Sequence, residues 1–137
     1  MTDDKLLQRI ARTLREEIGP AVNVEYPKTQ AFMASVVLQK LGQQLGLSRL
    51  HRDAQRADVD ALISDLDSAL HARSAPLSVQ HAFAEFRQAR SDPALCRLIE
   101  SLYAARAELG DRRFSELLGR VRQTLRASVD RQLEFAA

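Results

Sequence analysis

The sequence predicts an all-α fold, in which a single domain over residues 1–137 forms one helical bundle of five to six helices. Apolar residues recur at spacings of three and four, the period of a helix, along most of the chain. No segment alternates between apolar and polar residues as a half-buried strand does. Prolines and glycines separate the periodic segments and mark the ends of helices.

The composition excludes several classes of protein. A chain of 137 residues suits one domain, which at this length buries about 68–70% of its unfolded surface. Apolar residues make up 45% of the chain and charged residues 28%, as in ordinary globular proteins, so a disordered chain is not expected. The net charge of +2 describes a nearly balanced surface rather than that of a polyanion-binding protein.

The first predicted helix begins at Asp3 or Asp4, because a carboxylate there can accept hydrogen bonds from the free N–H groups of the first turn. Gly19 and Pro20 are expected to end it, since glycine tolerates a left-handed conformation and proline cannot continue the hydrogen-bond ladder. Its single apolar stripe consists of Leu6, Leu7, Ile10, Leu14 and Ile18.

The second predicted helix runs from Pro27, which suits a first helical turn, to about Leu45, and Gly46 is expected to end it. This helix is apolar on most of its sides, which is typical of a helix in the middle of a bundle. We therefore expect it at the centre of the fold, with four mostly buried side chains: Phe32, Val36, Val37 and Leu41.

The third predicted helix starts near Ser48, whose hydroxyl can cap it, and continues to about Leu70. Pro76 then interrupts the chain. A short fourth helix follows, for which Ser78 is the expected cap. Its apolar stripe consists of Val79, Ala82, Phe83 and Phe86.

The fifth predicted helix has Asp92 as its N-cap, a proline in its first turn, and Leu109 at its end. Gly110 leaves almost no linker before the sixth helix, which runs from Asp111 to Phe135. Such a short joint favours an antiparallel pair of helices.

The end of the sixth helix carries apolar residues that the fifth helix is too short to cover. At about 1.5 Å per residue, the fifth helix is about 26 Å long and the sixth about 37 Å. We therefore predict an interface with another chain, as in a homodimer, at Val129, Leu133 and Phe135. The alternative is that this end docks on the first helix.

No catalytic or metal-binding motif occurs in the chain. The three histidines, His51, His71 and His81, lack the spacing of metal ligands, and no phosphate-binding loop or nucleophile elbow is present. The carboxylates of the third helix alternate with apolar residues like an ordinary solvated flank. We therefore expect no catalytic residue, no metal and no cofactor. The sequence favours an interaction protein over an enzyme and leaves the question open.

The arginines of the last helix are interleaved with acidic residues, so we do not expect nucleic-acid binding, which needs an uncompensated basic face. Cys96 stands in an apolar helical context and is expected to be buried. The chain starts with "MTDDKLL", which is acidic where a secretory signal is basic, and no apolar run approaches the ~20 residues that cross a bilayer. A cytoplasmic protein without a membrane partner is the expectation.

One polar cluster is a candidate binding site. It surrounds the first turn of the second helix, where free N–H groups can meet an anion. Its residues are Glu17, Tyr26, Lys28 and Gln30. A small-ligand pocket at this place is the alternative to ordinary capping and loop solvation.

The segments "LREEIGPAV" and "TQAFMASVVLQKL" carry a resemblance to known proteins. Together they resemble a bacterial family of short, uncharacterised helical proteins, mainly over residues 10–45. Members of that family are encoded beside, or fused to, kinases similar to aminoglycoside phosphotransferases, sometimes with acyl-CoA dehydrogenases. The resemblance implies a non-catalytic accessory subunit, whose partner kinase acts on a hydroxyacyl or other hydroxylated small molecule.

Overall fold

The computed structural model describes residues 1–136, and these contain helices, turns and no strand, which confirms the all-α prediction. The helices are α1 (Asp3–Thr13), α2 (Gly19–Ala21), α3 (Glu25–Ala72), α4 (Leu77–Ala89), α5 (Asp92–Ala104), α6 (Arg106–Leu109) and α7 (Asp111–Ala136), with a π-helical turn (Leu14–Ile18) after α1. The backbone divides into an N-terminal unit, Met1–Asp53 with the end of the chain from Phe135, and a C-terminal unit, Ala54–Glu134. The single domain over residues 1–137 stays a prediction.

The prediction that Gly46 ends a helix is wrong, because α3 runs without interruption from Glu25 to Ala72. Gly42 and Gly46 instead lie against α1. A Cβ atom on Gly42 would lie 3.0 Å from the backbone oxygen of Asp4 and 3.4 Å from Cβ of Leu7. Glycine is therefore needed here for the close approach of two helices, and neither glycine has the positive φ of a helix stop.

The prediction that Gly19 and Pro20 end the first helix is also wrong. The helical path continues through the π-helical turn to Ala21, and the N–H of Gly19 donates to the oxygen of Leu14, five residues earlier. This wider turn suits Pro20, because a proline ring clashes with the carbonyl four residues earlier in a regular α-helix. A Cβ atom on Gly19 would lie 2.9 Å from the same Leu14 oxygen.

Three other predicted boundaries shift by a few residues. The N-cap of α1 is Thr2 rather than Asp3 or Asp4, which occupy the first turn. Ser91 caps α5 in place of Asp92, since its hydroxyl oxygen accepts a hydrogen bond of 3.3 Å from a backbone N–H. The fifth predicted helix does not reach Leu109 unbroken, because a turn at residue 105 separates α5 from α6.

The predicted cap of α4 is wrong, whereas the predicted start of α7 is confirmed. Helix α4 begins at Leu77, so Ser78 lies inside it and does not cap it. Gly110 has a φ of 83°, a left-handed value that favours glycine, and α7 begins at the next residue, as predicted.

The core of the C-terminal unit consists of apolar side chains, most of them large, from the second half of α3 and from α4, α5, α6 and α7. The predicted stripe of α4 is buried in full. The largest fully buried apolar side chains are Leu62, Val79, Leu98, Leu102 and Val121. Each comes from a stripe at helical spacing, and together the helices cover one another's stripes.

Candidate functional site

The described residues of the N-terminal unit have an inverted pattern of burial. Its buried residues are all small: Ala11, Gly19, Ser35 and Gly42. Its large apolar residues are exposed, and they include Leu6, Ile10, Ile18, Val24, Tyr26, Met33, Val36, Val37, Leu41, Leu45 and Leu50. Burying large apolar side chains is the main source of stability in a folded protein, so this surface calls for an explanation.

The prediction that the second helix is central and buried is wrong for the N-terminal half of α3. Val36 is 50% exposed, Val37 56% and Leu41 45%, and Phe32 is only half-buried. The apolar arc of this segment is as wide as the sequence indicates. Among the described residues of this unit, α1 and the turns after it cover one side of α3, and Phe135 meets it near the boundary of the unit at His51.

The side of α3 that meets α1 carries small residues at helical spacing, and we call it the small-residue seam (Ser35, Gly42 and Gly46). Ser35 is 1% exposed, and its hydroxyl donates a hydrogen bond of 2.6 Å to the oxygen of Phe32. A Cβ atom on Gly46 would lie 3.3 Å from a carboxylate oxygen of Asp4. The seam thus brings the two helices close together without burying any large side chain.

An ion pair closes the seam at the start of α1. The guanidinium of Arg49 donates to both carboxylate oxygens of Asp4, at 3.4 and 3.5 Å. A hydrogen bond from the side chain of Thr2, then the positive charge of Arg49 and nearby backbone N–H groups, hold the pKa of Asp4 below its ordinary value. Partial removal of the carboxylate from water opposes this shift of the pKa.

A polar groove lies along one flank of the seam. It has a volume of about 240 Å³ and is lined by Gln8, Ala11, Arg12, Arg15, Glu16, Gln39 and Gln43. Within residues 1–136, neither Arg12 nor Arg15 forms an ion pair with a carboxylate. Two guanidinium groups and three carboxamides offer hydrogen-bond donors to a small anion.

The flank opposite the polar groove is apolar on both helices. At about 100° per residue, the groove residues lie to one side of the seam and seven large apolar residues lie to the other, whereas Met33 and Val36 lie outside this group. We call this surface the apolar face, and its residues are Leu6, Ile10, Leu14, Val37, Leu38, Leu41 and Leu45. Leu14 and Leu38 are half-buried near its middle, and the other five are exposed. The N-terminal unit is therefore amphipathic as a whole.

The predicted binding residues are not gathered into the polar groove. Tyr26 and Gln30 lie one turn apart, and the amide of Gln30 donates a hydrogen bond of 3.1 Å to the hydroxyl of Tyr26. Glu17 is exposed and Lys28 half-buried, and neither lines the groove, which contains Glu16 instead. A ligand site at the four predicted residues stays a prediction.

The predicted interface at the end of α7 is exposed. Val129 and Leu133 leave more than half of their surface to solvent, and Phe135 is less exposed. The ring of Phe135 meets the ring of His51 edge-on, with centroids 5.9 Å apart. Because no second chain is present, an interface at these residues stays a prediction.

The carboxylates of α3 in the C-terminal unit are not a merely solvated flank, because each pairs with an arginine outside α3. Asp65 lies 2.6 Å from Arg120, and Asp67 lies 3.3 Å from Arg87. The other two pairs are Asp58 with Arg131 and Asp60 with Arg90. The excess of arginine over lysine is a sequence signal for such pairs, although it does not name the partners.

A larger groove in the C-terminal unit, of about 730 Å³, is lined by four arginines, of which Arg112, Arg113 and Arg120 donate side-chain hydrogen bonds. Arg113 donates to the backbone oxygens of Ser74, at 2.8 Å, and of Ala69 and Arg73, and so caps the end of α3. Arg112 pairs with Glu116 one turn along α7. These contacts give Arg112 and Arg113 structural roles, whereas Arg73 forms no ion pair within residues 1–136.

Four further findings bear on function. Residues 1–136 contain no group of three or more His, Cys, Asp or Glu side chains placed to hold a metal ion. No helix in the described part of the chain is long and apolar enough to cross a membrane. Cys96 is exposed, so the prediction of a buried thiol is wrong; its position on α5 faces away from the stripe of Leu95, Leu98 and Leu102. Comparison of the chain with protein-family models, with curated proteins and with solved structures found no match.

Proposed function

We propose that this chain is a non-catalytic interaction protein, and that the apolar face of its N-terminal unit binds another protein chain. One observation carries the proposal: this unit buries small residues and exposes large ones. Monomeric proteins rarely expose contiguous apolar patches of more than a few hundred Å², and larger patches mark binding surfaces. A partner that covers the apolar face would supply the burial that α1 and α3 do not give each other.

The polar residues of the C-terminal unit support the non-catalytic part of this proposal. Catalytic sites hold charged groups that are available to a substrate, and their pKa values are commonly shifted. Here the carboxylates of α3 are engaged by arginines, and Arg113 is engaged by backbone oxygens. These groups serve to join helices.

For the partner, we propose a kinase similar to aminoglycoside phosphotransferases that acts on small hydroxylated or hydroxyacyl substrates, with this chain as its accessory subunit in the bacterial cytoplasm. The resemblance of residues 10–45 to proteins encoded beside such kinases supports this choice. The same range contains all residues of the apolar face except Leu6.

Recovery of partners from the native host tests this proposal. Wild type should bring down a phosphotransferase-like chain that mass spectrometry identifies. Leu41→Asp, which puts a charge on the apolar face, should lose it. Val36→Asp is the matched control, because Val36 has a similar exposure on the same helix but lies outside the apolar face. Equal recovery with all three proteins would contradict a role for the apolar face.

A second candidate function is the binding of a small anion in the polar groove. It is favoured by Arg12 and Arg15, whose guanidinium groups have no carboxylate partner within residues 1–136. Titration with inorganic phosphate and with succinate, followed by amide NMR shifts of Gln39 and Gln43, tests it. Saturable shifts that disappear in Arg12→Gln would support a site, whereas linear shifts shared with that variant would exclude one.

A further inference from the structure

We infer that the polar groove binds a small phosphate monoester whose remaining part carries hydroxyl groups. The inference rests on the second candidate function, the binding of a small anion in this groove, and it names the chemical class of that anion. Four features of the groove select this class: its free positive charge, the shape of its donor groups, its single carboxylate, and its carboxamides.

The flank of α1 that borders the groove has a surplus of positive charge. Four basic residues follow one another along it at spacings of four, three and three: Lys5, Arg9, Arg12 and Arg15. This spacing places them on one side of the helical segment. All four are exposed, and within residues 1–136 none of them forms an ion pair. The flank therefore attracts anions.

The donor groups of Arg12 and Arg15, which both line the groove, fit a phosphate better than a carboxylate. Each guanidinium is always charged and presents its N–H donors in a planar fork that matches two oxygens of an anion. One fork already engages both oxygens of a carboxylate. A phosphate monoester offers three terminal oxygens and a charge of about −1.5 to −2 at pH 7. Two forks in one small groove therefore favour a phosphate group.

The carboxylate of Glu16 limits what the rest of the ligand can be. Glu16 follows Arg15 in the π-helical turn, lines the same groove, and forms no ion pair within residues 1–136. A second anionic group on the ligand, as in a dicarboxylate, would be repelled by this charge. A hydroxyl group can instead donate a hydrogen bond to it. The ligand should therefore have one anionic group and a remainder that carries hydroxyls.

The three carboxamides of the groove, from Gln8, Gln39 and Gln43, also suit hydroxyl groups. A carboxamide both donates and accepts hydrogen bonds, as a hydroxyl does. The volume of the groove, about 240 Å³, is smaller than that of pockets for drug-sized ligands, which measure about 300–1,000 Å³. A phosphate group with a short hydroxylated chain therefore fits better than a nucleotide.

Titration of the purified protein with glycerol 3-phosphate, inorganic phosphate and succinate tests this class of ligand. The amide NMR shifts of Gln39 and Gln43 report on the groove. Glycerol 3-phosphate should bind saturably and about tenfold more tightly than inorganic phosphate, because its hydroxyls add one or two hydrogen bonds. Succinate should bind more weakly than either, because its second carboxylate meets Glu16.

Two variants with exposed substitutions separate the two parts of the ligand, and circular dichroism checks that both stay helical. Arg12→Lys keeps the charge but loses the fork, so it should weaken the binding of both phosphate probes by about tenfold. Gln43→Leu should remove the preference for glycerol 3-phosphate over inorganic phosphate, as followed at the Gln39 amide. Gln44→Leu is the matched control, because it makes the same change at an exposed position of α3 outside the groove, and it should behave as wild type.

Four results would overturn the inference. Equal affinity for glycerol 3-phosphate and inorganic phosphate, or tighter binding of succinate, would leave an anion site of another class, and the second candidate function would stand. A preference that Gln43→Leu leaves intact would place the ester outside the groove. Binding to vesicles that contain phosphatidylglycerol, without binding of glycerol 3-phosphate, would make the ligand a lipid headgroup. If no probe binds saturably, the second candidate function fails as well, and the proposed role of the apolar face is unaffected.

Discussion

The two units of this chain use the same kind of helix in opposite ways. The C-terminal unit buries its large side chains, such as Leu98 and Leu102, whereas the N-terminal unit buries only alanine, glycine and serine. The stripes have similar composition in both. The number of neighbouring helices differs: the second half of α3 and the helices α4 to α7 enclose a core in the C-terminal unit, whereas the two principal helices of the N-terminal unit cannot. A hydrophobic stripe therefore marks a surface that will be covered, and the stripe alone does not show whether the same chain covers it.

We expect the largest difference between the two units when one large apolar side chain is truncated in each and the free energy of unfolding is measured. Leu98→Ala removes a side chain that is 1% exposed, and it should lower the free energy of unfolding by about 2–5 kcal/mol. Val36→Ala, in the N-terminal unit, should change it by about 0.5 kcal/mol or less, because Val36 is half-exposed. Denaturant unfolding checks both. A loss of equal size for Val36→Ala would show that the N-terminal unit has a core of its own.

A sharper contrast comes from substituting two helical glycines, one inside the small-residue seam and one outside it. Gly42→Leu would push a side chain into the backbone of Asp4, and overpacking of this kind costs about 1–3 kcal/mol. Gly119→Leu is the matched control, because a Cβ atom there meets nothing within 4 Å and leucine is a better helix former by about 0.8 kcal/mol. Amide exchange of α1 should therefore accelerate in Gly42→Leu and stay unchanged in Gly119→Leu. Acceleration in neither would mean that the helices do not meet at this seam.

Substitution of Arg113 tests whether its guanidinium stabilises the C-terminal end of α3. Arg113→Lys keeps the charge but loses the planar donor group that reaches three backbone oxygens, so we expect a loss of about 1 kcal/mol. Arg112→Lys is the neighbouring control, with an exposed pair to Glu116 and an expected change near zero. Thermal unfolding of the two variants compares them. Equal melting temperatures would remove the structural role of Arg113.

The smallest effect concerns pH and the start of α1. Because the pKa of Asp4 is lowered in the folded chain, the ionised carboxylate stabilises the N-terminal unit above the ordinary pKa of 3.8, and this contribution is lost as the pH falls through the lower folded value. Asp4→Asn should therefore flatten the acid dependence of α1 amide exchange. Thr2→Val should shift the pKa more than Arg49→Gln, since the Thr2 hydrogen bond is its largest cause. NMR titration of the Asp4 carboxyl carbon measures both shifts.

The sequence predicted the helices well where local chemistry decides the outcome. The stripe of α4 and the start of α7 agree with the structure, and the start of α5 agrees within one residue. Two glycines show the limit. Gly110 has a left-handed φ and ends a helix, whereas Gly46 lies inside one against α1. Sequence spacing cannot distinguish these cases, because the role of Gly46 depends on a neighbouring helix.

The residues of the polar groove were harder to predict from the sequence, for a similar reason. Tyr26 and Gln30 are four residues apart on one helix, so the sequence spacing alone predicts their contact. The polar groove joins Arg12 and Arg15 of the first segment to Gln39 and Gln43 of α3, and that grouping depends on how α1 is rotated against α3. The glycine and serine positions of the seam carry this information, but only once the partner helix is known.

Hydrogen exchange of the wild-type protein, measured alone and with the chain that it captures from its host, tests the central claim most directly. If that chain covers the apolar face, α1 and the N-terminal half of α3 should exchange more slowly when it is bound. Exchange in α5, whose large side chains are buried within the C-terminal unit, should not change. Exchange in α1 and α3 that is the same with and without the captured chain would contradict the claim that the N-terminal unit is completed by another chain.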